Sequence, residues 1–312
     1  MDKLQAMRTF VRVVEAGSFS AVAHEADVTQ GAISKQVAAL EADLGAKLLT
    51  RTTRSLALTE EGARYFEQAR RLVAEIAEAE GAVRTGAQQL SGWLRVAASV
   101  GFGRRKLMPI VQDFLAEHRN VKIDLRLHDG FVDLVELGID VAVRIGELSD
   151  SSLVARRIGT THRMLVAHRD YLRKLPAGLQ APRTPEDLAQ HNCLVYTETI
   201  SRNVWQFTAG KGAEVPAGTT SAVRIQGNLQ TNSSEVMRAS LLAGMGIGYS
   251  PTWLFDEDLA SGALQRLLPE WEAVPMPIHL VSPQQRRHSA KVRAFADVVS
   301  RRFQAGASIS PG

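Results

Sequence analysis

Gln30, Ser34, Lys35 and Gln36 fall within two turns of a single amphipathic segment. Side-chain amides and hydroxyls in that array can hydrogen-bond base edges, and the ammonium can reach guanine or phosphate. Thr29 just before them can cap a helix, and Gly31 lets the first N–H groups come close to an anion. Downstream, the polar tip Thr50-Arg51-Thr52-Thr53-Arg54 offers Arg51 and Arg54 to phosphates or to an adjacent minor groove. Reading of duplex DNA is the chemistry that these types and spacings imply.

A second set of polar residues sits at the ends of apolar strand-like runs: Ser99-Val100-Gly101-Phe102, Arg144 with Gly146, Tyr196-Thr197, and Thr231-Asn232-Ser233. In open α/β sheets, ligands bind beyond the carboxyl ends of strands. The Thr231–Ser233 stretch precedes a helix, so it can present N–H groups to an anion; Asn232 and Ser233 are equally well read as plain helix caps. Arg144 lies within an apolar strand and needs a partner, either a ligand carboxylate or an internal Asp140 or Glu147. Together these residues suggest a site for a small anion.

Short elements must position the first set. Leu4, Met7, Phe10, Val11 and Val14 mark one helix face up to Gly17; Ser18 caps a second helix bearing Phe19, Val22 and Ala23; Thr29 caps a third bearing Ile33, Val37, Leu40 and Leu44. Leu48-Leu49 and the alternating Leu56 and Leu58 read as a two-stranded wing. Thr59-Glu60-Glu61 opens a long helix toward Gln89. Its Phe66, Ala69, Val73, Ile76 and Val83 have near-heptad spacing, which predicts a dimer seam. Beyond Gly92 apolar runs alternate with amphipathic helices, which predicts a parallel, doubly wound α/β arrangement. The 312 residues then divide into a winged helix-turn-helix head at 1–58, a linker helix at 59–90, a two-lobed α/β domain at 91–305 and a tail at 306–312. The first lobe is expected at about 91–162 and 268–305, and the second at about 163–267.

FVRVVEAGSFSAVAHEADVTQGAISKQVAALEADLGAKLLTRTTRSLALTEEG resembles the N-terminal signature of LysR-type transcriptional regulators. LMPIVQDFLAEH, DLVELGIDVAVRIGEL and ASLLAGMGIGYSP extend the similarity over nearly the whole chain. Many members carry Pro where this chain has Gly31, and Phe where it has Leu49. The resemblance implies a winged helix-turn-helix, a linker-helix dimer and an effector domain similar to periplasmic binding proteins. It also implies homotetramers on an interrupted inverted repeat, an inducer pocket lined by the polar strand ends, and effectors that are often organic acids. RNA polymerase is a further partner to expect.

Other signals are weaker. A net charge of +4 is too small to argue for nucleic acid by itself. Gly244, Gly246 and Gly248 follow a helix instead of opening one, the reverse of a dinucleotide loop. Cys193 is the single cysteine, set in an apolar run, and reads as a core thiol in a reducing cytoplasm. The scattered histidines suggest no metal, and no cofactor, catalytic motif or membrane span is expected. Arg286, Arg287, His288, Lys291, Arg293, Arg301 and Arg302 make a basic C-terminus, either a solvated helix face or a second DNA contact. Rival readings are a two-lobed enzyme with a DNA-binding head and an architectural DNA binder without ligand.

Overall fold

Asp2, Ser18 and Thr29 accept hydrogen bonds from the backbone N–H groups of Gln5, Ala21 and Ala32, at 3.1, 3.2 and 3.2 Å. Each cap fixes a helix start: α1 (Lys3–Ala16), α2 (Phe19–Glu25) and α3 (Gln30–Leu44). The computed structural model describes residues 2–51, 56–85, 90–148, 153–199 and 202–307. Strands β1 (Leu49–Arg51) and β2 (Leu56–Leu58) pair antiparallel as the wing, and α4 (Glu60–Thr85) follows. Phe10, Val13, Ile33, Val37, Leu40 and Leu48 form the core of this head. Gly62 is required where α4 begins, because a Cβ there would lie 1.9 Å from the Leu48 carbonyl oxygen.

The seam drawn along α4 needs correction. Ala69 is fully buried within this one chain, and Phe66 and Val73 pack on the head core beside it. Phe66 meets Phe10 edge-on at 6.3 Å. Heptad spacing shows that a face is apolar without showing which helix covers it, and here α1 covers its first half. Ile76 is half-buried, Leu72 on an adjacent row is 47% exposed, and the Val83 side chain lies outside the described residues.

By contacts, the chain divides into two units, Met1–Trp93 and Leu94–Gly312. The second unit begins along β3 (Gly92–Ala98) and continues through α5 (Val100–Phe102), a π-helical turn (Gly103–Leu107), α6 (Met108–Glu117), β4 (Val121–Leu127), β5 (Val141–Ile145) and β6 (Leu153–Thr161). After β7 (Arg163–His168) come α7 (Arg169–Arg173), β8 (Val195–Tyr196), β9 (Val204–Ala209), β10 (Thr220–Arg224), β11 (Gln230–Thr231) and α8 (Ser234–Leu242). This second lobe ends with β12 (Ile247–Pro251), α9 (Asp256–Ala260), β13 (Leu264–Leu267) and β14 (Trp271–Ala273). β15 (Met276–Pro283) and α10 (Ala290–Ala307) return to the first lobe.

The first lobe is a five-stranded sheet in the order β4-β3-β5-β15-β6. β3 and β5 are parallel, whereas β15 runs antiparallel to both β5 and β6, so the sheet is mixed and not the all-parallel one expected. An antiparallel strand enters because the chain crosses to the other lobe and comes back from its far side. β14 still pairs with β9, so the return falls after Ala273, later than the expected border at 267/268. The two crossings, Thr161–Arg163 and Ala273–Met276, hold the lobes side by side with a cleft between them.

Candidate DNA interface and ligand cleft

On α3, Gln30, Gly31 and Lys35 are exposed and Ser34 is half-buried, so the first turns carry a polar, solvent-facing edge. Thr29 is also exposed, while its Oγ1 accepts the Ala32 N–H, which leaves the Gln30 and Gly31 N–H groups at an open helix start. Gln36 departs from the expectation. Its Oε1 accepts a 2.6 Å hydrogen bond from the Thr9 hydroxyl of α1, so it joins helices within the head. Position 36 borders the buried row Ile33, Val37 and Leu40, and a long amide at that border reaches the neighbouring helix. Arg54 and the Arg51 side chain lie outside the described residues.

The wing is held to α3 by a carboxylate. Glu41, with its side chain 9% exposed, accepts from the Leu48 and Leu49 N–H groups at 2.9 and 3.2 Å and pairs with Lys47 Nζ at 2.7 Å. Burial alone would raise its pKa; the Lys47 contact and the two N–H groups outweigh burial and hold it below the ordinary 4.5. A carboxyl depressed in the folded state stabilises above its unfolded pKa, and that contribution disappears as pH falls through the folded value. Glu41→Gln is therefore expected to lower head stability by about 1–3 kcal/mol at neutral pH and to flatten its fall below about pH 4.5. Denaturant titrations of both proteins at pH 3.5–7 check this; identical pH slopes would contradict it.

The cleft of the second unit holds a chamber of about 130 Å³, walled by Ser99, Phe131, Arg144, Arg163, Tyr196 and Tyr249 among others. It adjoins a wider outer space of about 480 Å³ that shares Phe131, Arg163 and Tyr249 and adds Gly146 and Thr197. Arg144 donates from Nη2 to the Val132 carbonyl at 2.8 Å and sits 5.1 Å from the Phe131 ring centre. Arg163 lies 5.5 Å from the centre of the Tyr249 ring. Neither guanidinium has a carboxylate partner among the described residues, and burial lowers the pKa of both. Asp140 and Glu147 are thus not the partners of Arg144: the Asp140 carboxylate accepts the Arg95 N–H and faces Arg286. The Trp253 indole Nε1–H, also in the chamber wall, is buried with no hydrogen-bond partner among the described residues.

A family model described as "Bacterial regulatory helix-turn-helix protein, lysR family" matches residues 4–63, and one described as "LysR substrate binding domain" matches residues 87–304. The chain belongs to the LysR family. It is similar to the HTH-type transcriptional regulator CrgA of Neisseria meningitidis serogroup C (strain 8013), 34% identical over 93% of this chain and 94% of that protein. It is also similar to the regulator DmlR of Escherichia coli K12, 32% identical over 96% of this chain and 94% of that protein. Among solved structures, CrgA matches at 33% identity and TM-score 0.59, covering 96% of this chain and 98% of that one. Full-length AphB, a virulence activator of Vibrio cholerae, matches at 29% identity and TM-score 0.56, covering 95% and 98%. The protein is a LysR-type DNA-binding transcriptional regulator with an effector-binding domain, and not an enzyme.

Within this LysR-type effector domain the strand ends separate into two groups. Ser99, Arg144 and Tyr196 reach the inner chamber, and Gly146 and Thr197 the outer one. Phe102 does not: its ring is buried between Trp253 and Phe303, at 5.4 and 5.6 Å. Val100 and Gly101 give their N–H groups to Asp129 and Ser234. Thr231, Asn232 and Ser233 lie outside both chambers; Ser233 Oγ caps Val236 N, and Thr231 Oγ1 accepts the Ser233 N–H. The anion at the start of α8 is the chain's own Asp129 carboxylate, 2.9 Å from Ser234 N. Arg163, Tyr249 and Trp253 are chamber residues absent from the sequence expectations. Cys193 is buried, and burial pushes its thiol up to about 12, the profile of a core group. Among the described residues no group of three His, Cys, Asp or Glu is arranged to hold a metal, and no helix is long and apolar enough to cross a membrane.

Proposed function

We propose that this regulator reads duplex DNA with the exposed edge of α3 and responds to a small organic acid bound in the inner chamber. The observation that carries the effector class is the pair Arg144 and Arg163, two part-buried guanidiniums with no carboxylate partner among the described residues. Two desolvated cations facing an aromatic-walled space favour an anion with an apolar body. The acid redistributes conformations only by its differential affinity for them, and altered spacing of the DNA-binding heads then changes DNA bending. Footprinting on the operator with and without a bound acid tests this: footprint length and hypersensitivity are expected to change, and an unchanged pattern under saturating acid contradicts it.

For the head, the division of labour is base edges to Gln30 and Ser34, and phosphate to Lys35, Arg51 and Arg54. Lys35→Ala is expected to weaken operator and non-operator DNA alike and to reduce the salt slope by about 1. Gln30→Ala is expected to cost about 1–3 kcal/mol on the operator and to relax preference at one base pair. Fluorescence anisotropy across a salt series separates the two. A homodimer supports the paired half-sites, with Leu72 and Ile76 on the open side of α4 as the surface for a partner helix. Family membership supports a tetramer and a contact with RNA polymerase as expectations, which light scattering and pull-down check.

A further inference from the structure

Two lobes meet along a seam whose charges are all internal to the chain. The first lobe brings Arg104, Arg105 and Lys106 on the π-helical turn, and the second brings Glu235, Glu257 and Asp256, paired at 3.1, 3.3 and 2.8 Å. Inside this row, the Asp129 carboxylate accepts from Val100 N at 2.9 Å in its own lobe and from Ser234 N at 2.9 Å in the other. Ser234 Oγ lies 3.2 and 3.3 Å from the same carboxylate and accepts from Gly101 N at 3.3 Å. A Cβ at Gly101 would come 2.8 Å from that hydroxyl oxygen, so the two lobes touch here at backbone distance.

We infer that Asp129 is a resident anion: it fills the inter-lobe seat at the start of α8, ties the lobes without any ligand, and excludes an effector's acid group from that seat. N–H groups at a helix start attract negative charge, and here one carboxylate satisfies donors from both lobes at once. An incoming acid meets the like charge of Asp129 in the wall of the chamber that Arg144 and Arg163 also line, and those two guanidiniums are the cations left to pair with it. The tie between lobes stands on the seam alone; the exclusion rests on the cleft being the effector site.

Formate, the size of the group that alanine removes, is the probe. In full-length Asp129→Ala, hydrogen-exchange protection of the Val100 and Ser234 amides is expected to fall by about tenfold or more, with sheet amides of both lobes unchanged. Added formate is expected to restore it, whereas sodium chloride at equal ionic strength leaves it low and wild type responds to neither. Amides that stay protected in Asp129→Ala, or protection that formate and chloride restore equally, overturn the inference. If the alanine variant does not fold, Asp129→Asn is read for protection alone, without formate: it keeps the shape but turns one of the two accepting oxygens into a donor, and wild-type protection of both amides there overturns the tie. For any acid that binds the wild-type cleft, Asp129→Ala is expected to admit a second molecule per chain, and unchanged stoichiometry overturns the exclusion. Should no acid bind wild type, the effector proposal fails while the formate result still judges Asp129.

Discussion

Phe10→Ala is expected to unfold the head and abolish duplex binding while the effector domain stays folded. Phe10 is fully buried, with Tyr65 and Phe66 of α4 at ring distances of 5.8 and 6.3 Å. It therefore joins α1 to the long helix as well as to α3. Truncating such a side chain costs about 3–5 kcal/mol, a large part of the stability of a small domain. The units Met1–Trp93 and Leu94–Gly312 have separate cores, so the loss should stay in the first. Urea denaturation followed by circular dichroism should show a new early transition ahead of an unchanged main one, and anisotropy should show no duplex affinity. A single transition at the wild-type midpoint would mean that Phe10 is not the hub of the head.

What was legible in the sequence was local. Ser18 and Thr29 act as caps because a short hydroxyl reaches an N–H three residues on, whatever the rest of the chain does. The wing was likewise set by Leu56 and Leu58 alternating against Leu49. By contrast, β6 left no sequence signal: it is an edge strand whose exposed Arg156 and Arg157 interrupt any alternation, a common device on unprotected edges. The pairing of Gln36 with Thr9 and the burial of Ala69 by α1 depend on how helices pack, which spacing along one helix does not encode.

The cleft shows the same division more sharply. Ser99, Arg144 and Tyr196 stood out because each ends an apolar run. Arg163 begins one, immediately after the crossing from β6, and only the return of the chain brings it beside Tyr249. Asp129 lies in the short stretch His128-Asp129-Gly130, to which the sequence alone assigned nothing; its contacts emerge when α5 and α8, more than a hundred residues apart, both direct N–H groups at it. Polar residues at strand ends thus point to the cleft without showing what faces the start of α8, because a helix start looks alike whether a ligand or the chain itself fills it.

Arg163→Ala is expected to remove most of the affinity for an acidic effector, and more of it than Arg144→Ala. Arg144 already spends one donor on the Val132 carbonyl and stacks near Phe131, so part of its work is structural. Arg163 has the Tyr249 ring beside it and no hydrogen-bond or carboxylate partner among the described residues, although burial destabilises its charge. An acid group would give Arg163 a counter-charge that no carboxylate among the described residues supplies. A charge-assisted contact of about 1.5–3 kcal/mol corresponds to a loss of roughly tenfold to a hundredfold in affinity. A thermal-shift panel of small aliphatic and aromatic carboxylates on full-length protein would identify binders, and calorimetry on wild type, Arg163→Ala, Arg163→Lys and Arg144→Ala would rank them. Lysine keeps the charge but not the planar fork, so it should recover only part of the loss. An acid that binds all four proteins equally would show that its anionic group lies away from Arg163, and the outer space beside Thr197 and Gly146 would then be where to look.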